Sequence, residues 1–160
     1  MSRNLKEKNL FPLILGVLSA LALICLLVFP VGYIDRGYAE GGISGFAAIF
    51  GLTASIGNIS FTFNSVNGWG LAIVCMLVLT GVFSGYLSKF GRGFYYASTV
   101  IAVLAIILIF MYHSNWLWAN APTTLVKGSL AIGAGQIIAA ILMIFQALGN
   151  LVAAYQSKNI

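Results

Sequence analysis

The chain contains very few charged side chains, and this scarcity decides its class. Of 160 residues, 7% are charged and 61% are hydrophobic, with only three Asp or Glu residues. An ordinary soluble domain has roughly 25% charged residues, and a soluble core of this size cannot hide so much apolar surface. The composition therefore predicts one integral membrane domain over residues 1–160, in the cell membrane, with the lipid bilayer as its first partner.

Residue types that bind metals or perform catalysis are also scarce. The one histidine, His113, has no carboxylate neighbour in sequence, and the two cysteines, Cys25 and Cys75, fall in the middle of apolar runs. A zinc site needs more ligands than this. The sequence has no C-x-x-C, no G-x-S-x-G and no phosphate-binding loop. We therefore expect no catalytic residue, no cofactor, no metal and no enzymatic activity.

Four apolar runs are long enough to cross about 30 Å of hydrocarbon. They lie at 10–34, 69–88, 94–112 and 125–148. They predict an all-α membrane protein, a four-transmembrane-helix antiparallel bundle with outer loops at 35–68 and 113–124. Pro30 is expected to kink or end the first helix. The run 43–59 is glycine-rich and interrupted by polar residues, so we do not count it as a fifth span and leave its fold open.

The basic residues are scattered in ones and twos, whereas a nucleic-acid-binding face groups them, so we expect no nucleic-acid partner. With four spans, one side of the membrane collects Arg3, Lys6, Lys8, Lys89, Arg92 and Lys158. The other side has only Arg36 and Lys127. Because Lys and Arg concentrate in cytoplasmic loops, this bias predicts that both termini are cytoplasmic and that 35–68 and 113–124 are outside.

The loop 35–68 has the pattern of an ordered structure. Ile59, Phe61 and Phe63 alternate with polar residues, which is typical of a short half-buried strand, and Asn67-Gly68 indicates a turn into the second helix. A loop this apolar packs on its own bundle or contacts a partner. The candidate contact residues are Phe46, Ile49, Phe50, Phe61 and Phe63. Asn58 lies in a glycosylation sequon, whose use depends on the host.

Small and polar residues at helical spacing indicate where helices approach one another in lipid. The candidates for helix contact or pore lining are Gly81, Gly85, Ser129, Gly133, Gln136 and Ala140. They predict packing within the bundle, or binding of another subunit by the fourth helix. Gln136 and Gln146 lie deep in a span, and an amide in lipid needs a hydrogen-bond partner.

The stretch Ser44-Gly45-Phe46-Ala47-Ala48-Ile49-Phe50-Gly51 is similar to the S-G-F-x-x-I-F-G of small uncharacterised four-span membrane proteins of Gram-positive bacteria. The layout of the whole chain also resembles the claudin-type tetraspan plan, in topology only. It departs from claudins in the first outer loop, which lacks their G-L-W and its two cysteines. The resemblance implies a four-span fold and no assigned activity.

Two functions are compatible with this sequence. The leading hypothesis is a non-enzymatic structural or accessory membrane protein, which acts through helix contacts and the outer loop on a second copy of itself or another membrane protein. The sequence does not distinguish this hypothesis from a third one, a protective protein of the bacteriocin-immunity kind. The alternative is a small oligomeric channel or transporter with an uncharged polar lining. Ion-coupled transport is disfavoured, because no Asp, Glu, Lys or Arg lies centrally in a span.

Overall fold

A computed structural model describes residues 3–35, 40–56, 59–63, 65–112 and 130–157. The described residues form helices and short strands. In chain order these are α1 (Arg3–Val28), β1 (Pro30–Asp35), β2 (Glu40–Ser44), α2 (Gly45–Phe50), β3 (Thr53–Ile56), β4 (Ile59–Thr62), α3 (Gly68–Gly85), a 3₁₀ helix (Leu87–Phe90), α4 (Gly93–Met111), β5 (Leu130–Ile132) and α5 (Ala134–Gln156).

Four of these helices are long and apolar enough to cross a membrane. Their spanning parts are Leu10–Val28, Gly68–Gly85, Gly93–Met111 and Ala134–Gln156. Their mean hydropathies are 2.8, 1.9, 2.4 and 2.2. The prediction of a multi-pass membrane protein with four spanning helices is confirmed at this level. In the part of the chain that the structure describes, no helix of this kind lies within 43–59.

Several helix boundaries differ from the sequence-based ones, most of all in the first and last helices. The first helix ends at Val28 instead of residue 34, because the segment from Pro30 pairs as a strand and proline cannot donate a helical hydrogen bond. The last helix begins at Ala134 instead of residue 125, because residues 130–132 pair with β1. It continues to Gln156, past the predicted end at 148. These observations correct the predicted bounds 10–34 and 125–148.

The four long helices contact one another in a closed order: α1 and α4 each contact both α3 and α5. α4 and α5 contact each other, and both contribute buried alanines to the core, namely Ala102, Ala105, Ala139 and Ala140. Large aliphatic and aromatic side chains on the same helices are exposed. This is the distribution expected in lipid, where helices approach through small residues and large apolar residues lie against acyl chains.

Two small sheets cover one end of the helices. The first has the antiparallel order β2-β1-β5, with Gly32 opposite Ile132, so it joins the segment after α1 to the segment before α5. The second is the β3–β4 hairpin, in which the hydroxyls of Thr53 and Thr62 are 2.8 Å apart. The predicted strand at 59–63 is therefore confirmed over Ile59–Thr62, and the ambiguous run 43–59 contains strands and the short helix α2.

Asn67 is the residue that starts α3. Its side-chain oxygen accepts hydrogen bonds from the backbone N–H groups of Trp69 and Gly70, both at 3.1 Å, which satisfies donors that a helix start leaves unpaired. Its own N–H donates to the Ile49 carbonyl at 2.8 Å. The predicted turn at Asn67-Gly68 is therefore the start of α3. The hydrogen bond from Asn67 to Ile49 also connects α3 to α2.

Candidate functional site

The interior of the helices contains a group of polar side chains that we call the buried polar layer. Its members come from all four long helices, and none is more than 1% exposed. They are Ser19, Thr80, Ser84, Ser98, Gln146 and Asn150. A buried polar group in lipid is stable only when it is hydrogen-bonded, so the pairing within this layer determines what it can do.

The contact between α1 and α3 provides the first part of the layer. The hydroxyls of Ser19 and Thr80 are 2.7 Å apart, and both lie within hydrogen-bond distance of the Leu77 carbonyl. Two glycines allow this close approach: a Cβ added to Gly81 would lie 3.2 Å from the Ser19 Cβ, and one added to Gly85 would lie 3.3 Å from Gly16 Cα. Gly81 and Gly85 therefore lie where α3 packs closely against α1.

Gln146 on α5 joins three helices. Its side-chain Nε2 donates to the Leu15 carbonyl of α1 and to the Ser84 hydroxyl of α3, both at 3.2 Å. Ser84 in turn donates to the Thr80 carbonyl at 2.7 Å. Gln146 therefore links α5 to both α1 and α3.

Asn150 lies one turn after Gln146 and provides the contact with α4. Its Nδ2 donates to the Ser98 hydroxyl at 2.9 Å, and Ser98 donates to the Thr80 carbonyl at 3.1 Å. The apolar run 125–148 predicts a helix that stops just short of Asn150. The spacing of four residues from Gln146 was the signal for a shared face, provided that the helix was known to continue to Gln156.

The other candidate helix-contact residues, on or next to α5, also contact parts of the same chain. Gln136 is fully buried and its Nε2 donates to the Ile109 carbonyl at 3.4 Å. Ala140 is buried, and a Cβ added to Gly133 would lie 2.0 Å from the Pro30 oxygen. Ser129 lies outside the described residues. Gly133, Gln136 and Ala140 are therefore in contact with other parts of this chain, and binding of another subunit by the fourth helix stays a prediction.

The candidate residues of the first loop divide into two groups. Ile49 and Phe63 are only 1% and 2% exposed and belong to the hydrophobic core, so they are not available to a partner. Phe46 is 50% exposed, and Phe50 is half-buried with its ring centroid 4.8 Å from that of Phe46. Phe61 lies in β4, and its side chain is outside the described part of the structure.

The exposed Phe46 belongs to a larger apolar surface that we call the loop patch. It comprises Phe46, Phe50, Leu52, Val66 and Trp69. Its segments adjoin one another, because a Cβ on Gly51 would lie 3.1 Å from the Val66 nitrogen, and Asn67 is hydrogen-bonded to α2. Trp69 is 52% exposed in the first turn of α3. The predicted contact residues of the first loop did not include Leu52, Val66 or Trp69, because no periodic pattern in the sequence distinguishes these three from their neighbours.

Titratable and metal-ligating groups are sparse in this region. Among the described residues, no three His, Cys, Asp or Glu side chains come together. The two cysteines are free thiols, Cys25 half-buried and Cys75 exposed. His113 lies outside the described residues.

The chain matches no protein-family model, no curated protein and no solved structure. The claudin-type topology and the likeness to four-span proteins of Gram-positive bacteria therefore stay predictions from the sequence. What the geometry provides is a polar interior enclosed by the four helices and an apolar surface at the end of α3.

Proposed function

We propose that this chain is a non-enzymatic structural or accessory protein of the cell membrane, which binds a neighbouring membrane protein or a second copy of itself through the loop patch. The observation that carries the proposal is the exposure of Phe46, Leu52 and Val66, at 50%, 44% and 50%, on segments outside the four spanning helices. Contiguous exposed apolar surfaces of this kind are characteristic of interaction sites, and aromatic residues dominate binding energy at interfaces.

The buried polar layer supports a packing role over the alternative of a channel. A pore lined by hydroxyl and amide groups requires that Thr80, Ser84 and Gln136 face water. These three side chains are fully buried. Each makes a hydrogen bond to another helix of the same chain, Thr80 with Ser19 of α1, Ser84 with Gln146 of α5 and Gln136 with the Ile109 carbonyl of α4. Their arrangement is the one expected for polar residues that hold transmembrane helices together.

An N-in, C-in four-helix bundle is part of the proposal, with the sheets and the loop patch outside. Its support lies at the link between α3 and α4, where Lys89 and Arg92 are exposed. The Lys89 ammonium lies 5.0 Å from the centre of the Tyr86 ring, and Tyr86 and Phe90 are exposed. Basic residues next to interfacial aromatics are typical of the cytoplasmic boundary of a span.

Labelling of single cysteines tests this orientation. We expect that a membrane-impermeant maleimide labels a Ser60→Cys variant in intact cells, and labels a Lys89→Cys variant only after the membrane is permeabilised. Both positions are exposed, and both variants are made after Cys25 and Cys75 are replaced by alanine. The opposite labelling pattern would invert the topology and place the loop patch in the cytoplasm.

Charge substitutions in the loop patch test its role in binding. We expect that Phe46→Asp and Leu52→Asp each weaken the complex isolated from the native membrane at least tenfold, which corresponds to about 1.4 kcal/mol and is typical of a central interface residue. The complex is quantified by native mass spectrometry after mild detergent extraction. The folded monomer is expected to persist, since both side chains are exposed.

The matched control is Ser55→Asp, which introduces the same charge at an exposed position on β3 outside the loop patch. This variant is expected to retain the complex. If Phe46→Asp and Ser55→Asp leave the complex equally intact, the loop patch is not the binding surface, and the exposed apolar faces of the helices become the remaining candidates.

A further inference from the structure

A groove runs along the outer side of the contact between α1 and α3. It has a volume of about 210 Å³, and its lining is almost entirely apolar. All of its lining residues belong to the spanning parts of the two helices. They include Gly16, Ala20 and Leu23 of α1 and Val78, Gly81 and Val82 of α3. Because Ala20, Val78 and Val82 are exposed, the groove opens where the hydrocarbon of a bilayer surrounds the helices.

Close approach of the two backbones forms the floor of the groove. A Cβ added to Gly81 would lie 3.2 Å from the Ser19 Cβ, and one added to Gly16 would lie 3.4 Å from the Gly85 Cα. The Ser19 hydroxyl at this floor is already hydrogen-bonded to α3. An apolar occupant therefore leaves no hydroxyl newly unpaired, and it gains van der Waals contact with both helices.

The volume of the groove favours a slender occupant. Pockets for drug-sized ligands enclose about 300–1,000 Å³, so a groove of about 210 Å³ is too small for a compact ligand. A lipid acyl chain is narrow, apolar throughout and abundant wherever these helices cross a bilayer. A segment of one acyl chain suits this groove, while the headgroup of the same lipid stays at the membrane boundary.

One face of α3 leads from the groove to a basic residue. Val78, Val82 and the C-cap residue Tyr86 are spaced four apart and share this face, and all three are exposed. The Lys89 ammonium lies 5.0 Å from the centre of the Tyr86 ring. At a rise of 1.5 Å per residue, Lys89 is about 10–17 Å beyond Val82 and Val78. One leaflet contributes about 15 Å of hydrocarbon, so a lipid with its headgroup at Lys89 reaches the groove with its acyl chain.

The charge at this end of the helices favours an anionic headgroup. Asp35 ends β1 and Glu40 begins β2, at the far end of α1, so among the three acidic residues only Glu7 lies near Lys89 along the helix axes. The described basic residues at the same end are more numerous, namely Arg3, Lys6, Lys8, Lys89 and Arg92. Basic residues beside a bilayer attract anionic lipids.

We infer that the groove and Lys89 together bind one anionic phospholipid. Its acyl chain lies in the groove between α1 and α3, and its phosphate lies at the Lys89 ammonium. The exposed rings of Tyr86 and Phe90 mark the level of the headgroups, where aromatic residues of spanning helices concentrate. This site is at the opposite end of α3 from the loop patch, so it does not depend on the function proposed for that patch.

Native mass spectrometry of the full chain in detergent tests the headgroup contact. The protein is mixed with equal amounts of phosphatidylglycerol and phosphatidylcholine that carry identical acyl chains. We expect that the native chain retains one phosphatidylglycerol in preference to phosphatidylcholine. Lys89→Gln is expected to lower this preference about fivefold, which corresponds to about 1 kcal/mol for one basic residue. Lys89→Arg keeps the charge and is expected to keep the preference. Equal retention of both lipids by the native chain, or a preference unchanged in Lys89→Gln, would overturn the proposal.

Filling the groove tests the acyl-chain contact. Ala20→Phe places a ring in the groove from an exposed position, and we expect it to lose retention of both lipids. Val100→Phe is the control, because it adds the same ring at an exposed position on α4 outside the groove. This control is expected to retain lipid like the native chain. Equal retention by the two variants would contradict the proposal, as would a dimer that Ala20→Phe dissociates without any change in lipid retention.

Crosslinking locates the bound lipid directly. A phosphatidylglycerol with a photoreactive group in the middle of its acyl chain is expected to label peptides that contain residues 16–23 and 77–82. Labelling that is spread evenly over all four long helices would show only the ordinary lipid that surrounds a membrane protein, and the proposal would fail.

Discussion

Gly45→Ala is expected to destabilise the protein by more than about 3 kcal/mol, at or beyond the upper end of the range for an overpacked core. A Cβ at this position would lie 1.8 Å from the Leu26 carbonyl oxygen and 2.9 Å from the Leu26 carbonyl carbon. The obstacle is backbone, so no change of side-chain rotamer relieves it. Relief requires that α2 moves away from the end of α1, which would remove Ile49 from the core that it shares with the long helices.

The free energy of unfolding of Gly45→Ala is measured by reversible denaturation in mixed micelles with increasing SDS. The matched control is Gly93→Ala, at the first residue of α4, where an added Cβ meets no atom within 4 Å. The control is expected to be as stable as the native chain or more stable by up to about 1 kcal/mol, because alanine restricts the unfolded chain. Equal stability of the two variants would show that α2 does not pack on α1 as described.

Gly133→Ala is expected to have an effect of similar size at the junction of the sheet and α5. A Cβ on Gly133 would lie 2.0 Å from the Pro30 oxygen and 2.5 Å from the Val31 carbonyl carbon. The backbone angles of Gly133, φ −84° and ψ 154°, are accessible to any residue. The cost is therefore entirely steric, and relief requires that β1 and the start of α5 separate.

The Gly133→Ala variant also distinguishes packing of Gly133 within the chain from binding of another subunit by the same face. If Gly133 packs within the chain, its substitution lowers the stability of the isolated monomer, measured in detergent at a concentration that prevents association. Gly68→Ala is the control, because a Cβ there meets nothing within 4 Å. A stable Gly133→Ala monomer that fails only to associate would return Gly133 to a surface between subunits.

The four spans were predictable from the sequence because hydropathy over about 20 residues responds to the bilayer itself. The strand Ile59–Thr62 and the helix start at Asn67 were predictable for local reasons, the alternation of side chains and the chemistry of the cap. Each of these features is determined by residues that are close together in sequence.

The features that the sequence did not predict depend on distant contacts. The end of α1 and the start of α5 are set by pairing of β1 with β5, and no local pattern indicates that Gly32 lies opposite Ile132. The inward face of α2 depends on where that helix begins, which decides that Ile49 is buried and Phe46 is exposed. Asn150 was placed just beyond the fourth span because the predicted end at 148 was eight residues too early.

Photo-crosslinking in the native membrane tests the central claim most directly. A photoreactive amino acid replaces Phe46 in the loop patch in one variant and Ser55 on β3 in the other, and both positions are exposed. The account predicts a discrete protein adduct from position 46, either with a second copy of this chain or with one other membrane protein, and none from position 55. Lipid adducts alone at position 46, or the same protein adducts at both positions, would contradict recognition through the loop patch.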